Sequence, residues 1–312
     1  MPHTRLLFVT LALCALVLAG CGDRDPEPRA AVPPPPVAAA SPRAAEVTGW
    51  PAGLGRALVV RLASGDQNYR LVVPELGDRR FADSAISLKP GDSIKVALFG
   101  RRGKAGDARL RIVDSEVGTG SCVTWPAAEV TGATYVRRAS SAWRIAAERD
   151  SVSAVAVDSL AGMSQADSVA LASAVTSLLA SLPGGADSAL HGIPFDTRRA
   201  YSFRAAGVEM IAAELVRRAS SEADPREERV LAVGESEGGG SPTHRLVYSR
   251  RVSGRADSTA MTELLAVVIT RQPGRPIIVF GVEEATGLRL HLLERVGRMR
   301  WRLSWSSVVS FC

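Results

Sequence analysis

Gly234-Glu235-Ser236-Glu237-Gly238 has the spacing of a nucleophile elbow, where a serine on a sharp strand-to-helix turn is presented to a substrate carbonyl. Asp257 and His291 follow it in the order serine, acid, histidine. The surroundings do not supply what an elbow needs. Arg229 to Val233 reads as a strand, but Gly238-Gly239-Gly240-Ser241-Pro242 comes next and forbids the required helix. Two flanking glutamates would also oppose an oxyanion at Ser236. The stretch therefore reads as a hairpin loop, and no catalytic residue is assigned. His191, with Asp187 and Asp196, reads as a solvated loop ahead of a strand. His244 and His291 stand alone on expected strands, which leaves no multi-histidine metal site. Asp224, Glu227 and Glu228, like Glu283 and Glu284, lack the spacing of an EF-hand. No glycine-rich phosphate loop opens a helix, and no cofactor or metal is expected.

Cysteine placement carries more information. Arg5 precedes an apolar run from Leu6 to Val17 that is too short to span a bilayer, which needs roughly 20 residues. A positive start, a short apolar core and small residues before a cut describe a secretory signal. The run ends in Leu18-Ala19-Gly20-Cys21, which resembles the lipobox of bacterial lipoproteins. That resemblance covers residues 1–21 alone. It implies that residues 1–20 are removed and that Cys21 receives the lipid, palmitate or a similar acyl group, and anchors the chain to a membrane. With Gly22 after the cysteine and Asp23 one further on, the family's sorting rules imply an outer-membrane anchor facing the periplasm, if the host has such a membrane. Cys14 leaves with the signal, so Cys122 and Cys312 remain, and in an oxidising compartment they are expected to form a disulfide.

The 312 residues carry a formal net charge of +6, almost wholly as arginine, since lysine occurs only at positions 89, 95 and 104. That balance allows contact with anionic lipid or polysaccharide but is weak evidence for nucleic acid, which is not expected as a partner. Residues 21–46 form a Pro/Ala-rich tether whose composition favours extended polyproline II, with a reach of roughly 70 Å. From Trp50 to Ser121 apolar residues alternate between Gly, Pro and Asp turns, which predicts a small antiparallel β-sandwich or barrel over residues 47–121. Residues 122–163 read as a connector in which Trp143 to Ala147 and Val155 to Val157 form a hairpin. Residues 164–312 read as an α+β domain. In it, Ser164 to Leu182 is a core-docked helix with Leu171, Val175, Leu178, Leu179 and Leu182 on one face. A β-meander follows from Tyr201, with Val208 to Arg217 compatible with strand or helix. The fold class expected is mainly antiparallel β (α+β) with one packed helix.

The last hairpin is expected to have one buried face, with Leu288, Leu290, Leu292, Met299, Trp301, Leu303 and Trp305. The polar face would carry His291 and display Arg289, Arg298, Arg300 and Arg302 as a basic strip. Like charges that close need neutralising, by the chain itself or by an anionic partner. Together these features point to a cell-envelope lipoprotein that binds or scaffolds an envelope protein or anionic envelope polymer without catalysis. The alternatives are an exported hydrolase whose site is assembled from distant residues, and a β-barrel-like carrier of an apolar ligand.

Overall fold

The computed structural model describes residues 49–61, 69–77, 86–113, 124–131, 143–185, 187–220, 224–238 and 243–310. The expected signal segment with Cys21, the expected tether, Cys122 and Cys312 lie outside the described residues. Among the described residues the chain is mainly antiparallel β with one packed α-helix, in agreement with its alternating apolar pattern.

Six strands make the first sheet: β1 (Leu58–Arg61), β2 (Tyr69–Val72), β3 (Ser93–Gly100), β4 (Gly103–Ile112), β5 (Ala128–Thr131) and β6 (Trp143–Glu148). Their order is β2-β1-β6-β3-β4-β5, and a bridge between Arg70 and Ala127 nearly closes this sheet into a barrel. Closure removes the open strand edges that invite aggregation.

The next run of chain changes sheets. β7 (Val152–Val155) is an edge of the second sheet, and β8 (Val157–Ser159) is an edge of the third. The sequence pattern had suggested a hairpin between residues 143–147 and 155–157. Instead β6 belongs to the first sheet, and the chain leaves it at the Arg149-Asp150 turn.

The third sheet continues through β9 (Asp196–Ala205), β10 (Val208–Ala219), β11 (Arg226–Ser236) and β12 (His244–Arg255). The second is completed by β13 (Met261–Thr270), β14 (Pro276–Glu284), β15 (Gly287–Gly297) and β16 (Arg300–Ser306).

The layers follow from which side chains meet. Val59, Phe99, Trp143, Leu265, Leu292 and Trp305 belong to one apolar cluster, between the first and second sheets. Tyr201, Phe203, Leu264, Phe280, Leu293 and Trp301 belong to another, between the second and third. Each buried aromatic removes 150–250 Å² from water, so rings dominate both layers. The outer face of the third sheet is covered by helix α1 (Gln165–Ala180), which buries Leu171, Val175 and Leu178 against Ile211, Ala213, Leu215 and Val230. Ser164 caps it, accepting the Asp167 amide at 3.3 Å. β10 therefore has two apolar faces: Met210 and Ala212 face the second sheet, and Ile211 and Ala213 face the helix. Burial on both sides is why residues 208–217 fit a helical period as well as a strand.

The same burial overturns the expectation for the last hairpin. The second sheet lies between two others, so neither face of β15 is polar: Leu290 and Leu292 join the first cluster, and Leu293 joins the next. A register shift opposite Leu292/Leu293 then places Trp305 on the face away from Trp301 and Leu303.

Beyond β16 the chain straps the first sheet to the second. Val308 N–H donates to Leu76 O at 2.7 Å. Trp125 Nε1 donates to Val308 O at 3.3 Å, and Trp125 N–H donates to Ser310 Oγ at 3.3 Å.

Candidate functional site

The elbow-like motif has structural causes at each position. Ser236 is the last residue of β11, and Glu237 N–H donates to Thr243 O at 3.3 Å, closing the hairpin into β12. Gly238 has φ +95°, a turn conformation that favours glycine. A Cβ on Gly234 would stand 2.5 Å from Leu178 Cδ1, so this glycine lets α1 dock on the third sheet. Glu235 is 1% exposed and accepts from Arg295 Nη2 at 2.7 Å, Trp301 Nε1 at 2.8 Å and Met299 N at 3.1 Å. Burial alone would raise its pKa, but the hydrogen bonds from Arg295, Trp301 and Met299 outweigh burial and hold it below the usual carboxylate range.

The other residues of a would-be triad are elsewhere. Arg226, at the far end of β11 from Ser236, pairs with Arg255, and Asp257 lies just beyond, ion-paired to Arg255 at 3.5 Å. Ten residue steps separate the two ends of β11, about 33 Å at the usual rise. His291 is 2% exposed, stacked on Phe280 with ring centroids 5.0 Å apart, and its Nδ1 lies 2.6 Å from Ser306 Oγ. Burial, followed by the charges of Arg250 and Arg289, pulls its pKa down to about 2. A neutral histidine walled into the core is a packing residue.

The loop around His191 is held to the sheet. His191 Nε2 lies 3.2 Å from Gly185 O, and Asp187 pairs with Arg226 at 2.9 Å. Behind it, buried Glu228 accepts from Arg217 at 2.6 Å and Arg251 at 2.9 Å. Arg251 also donates to Pro183 O, Arg217 donates to Ile193 O at 3.3 Å, and the Phe195 ring lies 4.7 Å from the Arg217 guanidinium. Neighbouring Glu227 is claimed by Arg218 and Arg229. The acidic spot at Glu227 and Glu228 is thus a pair of ion clusters. Among the described residues, no group of three His, Cys, Asp or Glu is placed to hold a metal.

The four arginines of the expected basic strip are dispersed. Arg289 pairs with Glu284 at 3.4 Å and donates to Ser307 O at 3.2 Å. Arg302 shares buried Glu294 with Arg275, at 3.0 and 3.1 Å. Arg298 reaches Glu237 O at 2.7 Å, and Arg300 is exposed. Covering both faces of the second sheet turns the strip into separate contacts at the two ends of β15.

A different cluster does converge. Where strand ends of the three sheets meet, a cleft of about 660 Å³ is lined by Arg61, Arg144, Arg198 and Arg199, with Glu263 among them. Glu263 lies 3.1 Å from Arg101, 3.8 Å from Arg144 and 3.9 Å from Arg199. Glu214, 5% exposed, lies behind, accepting from Arg199 at 3.5 Å and Leu264 N at 3.3 Å. Burial raises its pKa, and Arg199 offsets only part of that rise. Arg101 also lies over the Tyr201 ring at 5.5 Å. Such a cleft can hold an oxyanion by guanidinium hydrogen bonds.

Sequence reasoning missed this cluster because its arginines are scattered over β1, β6 and β9. One signal was present: Glu214 interrupts the apolar run from Met210 to Val216, and a carboxylate there needs a partner. Compared with known proteins, the chain matches no family model, no curated protein and no solved structure.

Proposed function

We propose that this chain is a lipid-anchored protein of the cell envelope that binds another envelope component and performs no chemistry on it. The lipobox at Leu18-Ala19-Gly20-Cys21 supports the anchor, and the Pro-rich tether supports a body working at a distance from its membrane. The observation that carries the binding role is the convergence of Arg101, Arg144 and Arg199 on the single carboxylate of Glu263. Three guanidinium groups shared between Glu263 and Glu214 leave positive charge in excess, available to a partner's anion. A binder is favoured over an apolar carrier because Tyr201, Phe203, Phe280 and Trp301 fill the space between the second and third sheets.

The same reading includes a Cys122–Cys312 disulfide. Trp125 and Ser310 are hydrogen-bonded, and the two cysteines lie three residues before the one and two after the other. At ~3.5 Å per extended residue, that is within the chain's reach.

One measurement tests anchor and disulfide together: intact mass of the mature protein extracted from membranes, before and after reduction. The expected species begins at Cys21, carries acyl chains, and gains the mass of two hydrogens on reduction. A Cys21→Ser chain should leave the membrane fraction. An unacylated chain in the soluble fraction would refute the anchor, and an unchanged mass on reduction would refute the disulfide.

A further inference from the structure

Resting on that binding role, we propose that the cleft accepts a single-headed amphipathic oxyanion, a phosphate or carboxylate carrying an apolar chain. The head would lie on Arg61 and Arg198 and the chain on the leucine floor.

The head follows from how charge is shared. Arg144 and Arg199 are drawn toward Glu263, whereas Arg61 and Arg198 form no ion pair among the described residues. Arg198 donates to Met261 Sδ at 3.5 Å and, like Arg61, lines the cleft from its own strand without an ion pair among the described residues, so both guanidinium groups keep donors for the planar or tetrahedral oxygens of such a head.

The chain follows from the floor. Val60, Leu265 and Leu288 line the cleft, and Gly281 lies between the two leucines. A Cβ there would stand 3.4 Å from both Leu265 Cδ1 and Leu288 Cδ1, and of these floor residues Leu288 is the half-buried one that offers apolar carbon to a ligand. Covering such surface contributes about 25 cal/mol per Å².

The restriction to one head follows from another part of the lining. Glu283 and Glu284 line the same cleft, Glu284 paired with Arg289 and Glu283 in no ion pair among the described residues. Glu283 stands opposite both Met261 and Leu288 in register, beside the floor. A polyanion lying along the cleft would set several charges against these carboxylates, whereas a ligand with its charge at one end sets one. The volume of about 660 Å³ is of the size that encloses a small molecule.

The test uses the mature chain carrying Cys21→Ser, titrated calorimetrically with octyl phosphate and octanoate as monomers, with inorganic phosphate, and with anionic phosphatidylglycerol vesicles. Octyl phosphate should bind with one-to-one stoichiometry. Arg61→Ala and Arg198→Ala should each weaken it about tenfold, the loss of one charge-assisted hydrogen bond. Arg300→Ala, on the far hairpin, should leave it unchanged. Inorganic phosphate, lacking the chain, should bind at least about tenfold more weakly. If vesicles bind and Arg61→Ala weakens them as it weakens octyl phosphate, the head belongs to a bilayer lipid. If only the monomers bind, the ligand is a free amphiphile. Equal loss with Arg300→Ala, inorganic phosphate binding as tightly as octyl phosphate, or no binding by any probe would overturn the proposal. In that last case, crosslinks from other surfaces of the body in the envelope would still leave the binding role standing.

Discussion

Glu228→Ala should destabilise the fold by about 3–5 kcal/mol, the range for removing one partner of a buried ion pair. Glu228 is 0% exposed and is the carboxylate shared by Arg217 and Arg251. Arg217 is itself buried and Arg251 partly so, and alanine would leave both guanidinium groups without this anion. The effect should extend outward, because the same arginines hold Pro183 O and Ile193 O and flank the Phe195 ring. Urea denaturation of wild type and variant measures the loss, and amide exchange over residues 183–195 should rise with it. A change below about 1 kcal/mol would mean that the cluster is solvated and that packing alone holds the loop.

Stability should also fall as the medium is acidified below pH 6.5, at about 1.4 kcal/mol per pH unit from His291 alone. In the unfolded chain this histidine takes up a proton near pH 6.5, whereas in the folded chain it does so only near pH 2. Between those values the unfolded state binds more protons, so its stability contribution is present above pH 6.5 and lost as pH falls. By pH 4.5 the loss amounts to roughly 2–3 kcal/mol. Glu235 and Glu148, both held below the usual carboxylate range, add their own losses only under more acidic conditions, near and below the ordinary carboxylate pKa. Glu214 has the opposite sign: its raised pKa gives a contribution lost as pH rises through its folded value. Replacing His291 with Gln should flatten the stability profile between pH 6.5 and 4.5, measured by denaturant midpoint at each pH. An unchanged slope would show that the ring is reached by water.

Much of the architecture is legible in the sequence, and the misses share one cause. Period-two alternation marks β1 to β4 and the strands of the meander, and the spacing of Leu171, Val175 and Leu178 marks the helix. Layering is not legible. No local pattern says that the second sheet will be covered on both sides, so His291 reads as polar-facing when it is core, and Trp305 reads as a neighbour of Trp301 when it faces the other way. The hairpin expected within residues 143–157 fails for a similar reason, since a strand that crosses between sheets at Ala156 looks like the return strand of a hairpin. The site was less accessible still. Arg61, Arg144 and Arg198 are unremarkable surface arginines until three sheets bring their strand ends together. The apparent basic strip of Arg289, Arg298, Arg300 and Arg302 loses its unity once Glu284 and Glu294 are placed beside two of its members.

The elbow-like motif shows the opposite error that short patterns invite. Gly234 is there for Leu178, Glu235 for Arg295 and Trp301, and Gly238 for the turn. Each residue has a packing or hydrogen-bonding reason, so the match needs no chemistry to explain it.

The central claim is that the body meets its envelope partner at the arginine cleft. Its most direct test is photo-crosslinking in intact host cells, from a reactive side chain placed at Thr286 in the cleft lining or, for comparison, at position 300. The expected result is an adduct from position 286 that is lost with Arg61→Ala and outcompeted by octyl phosphate. Adducts from position 300 alone, with none from position 286, would contradict it.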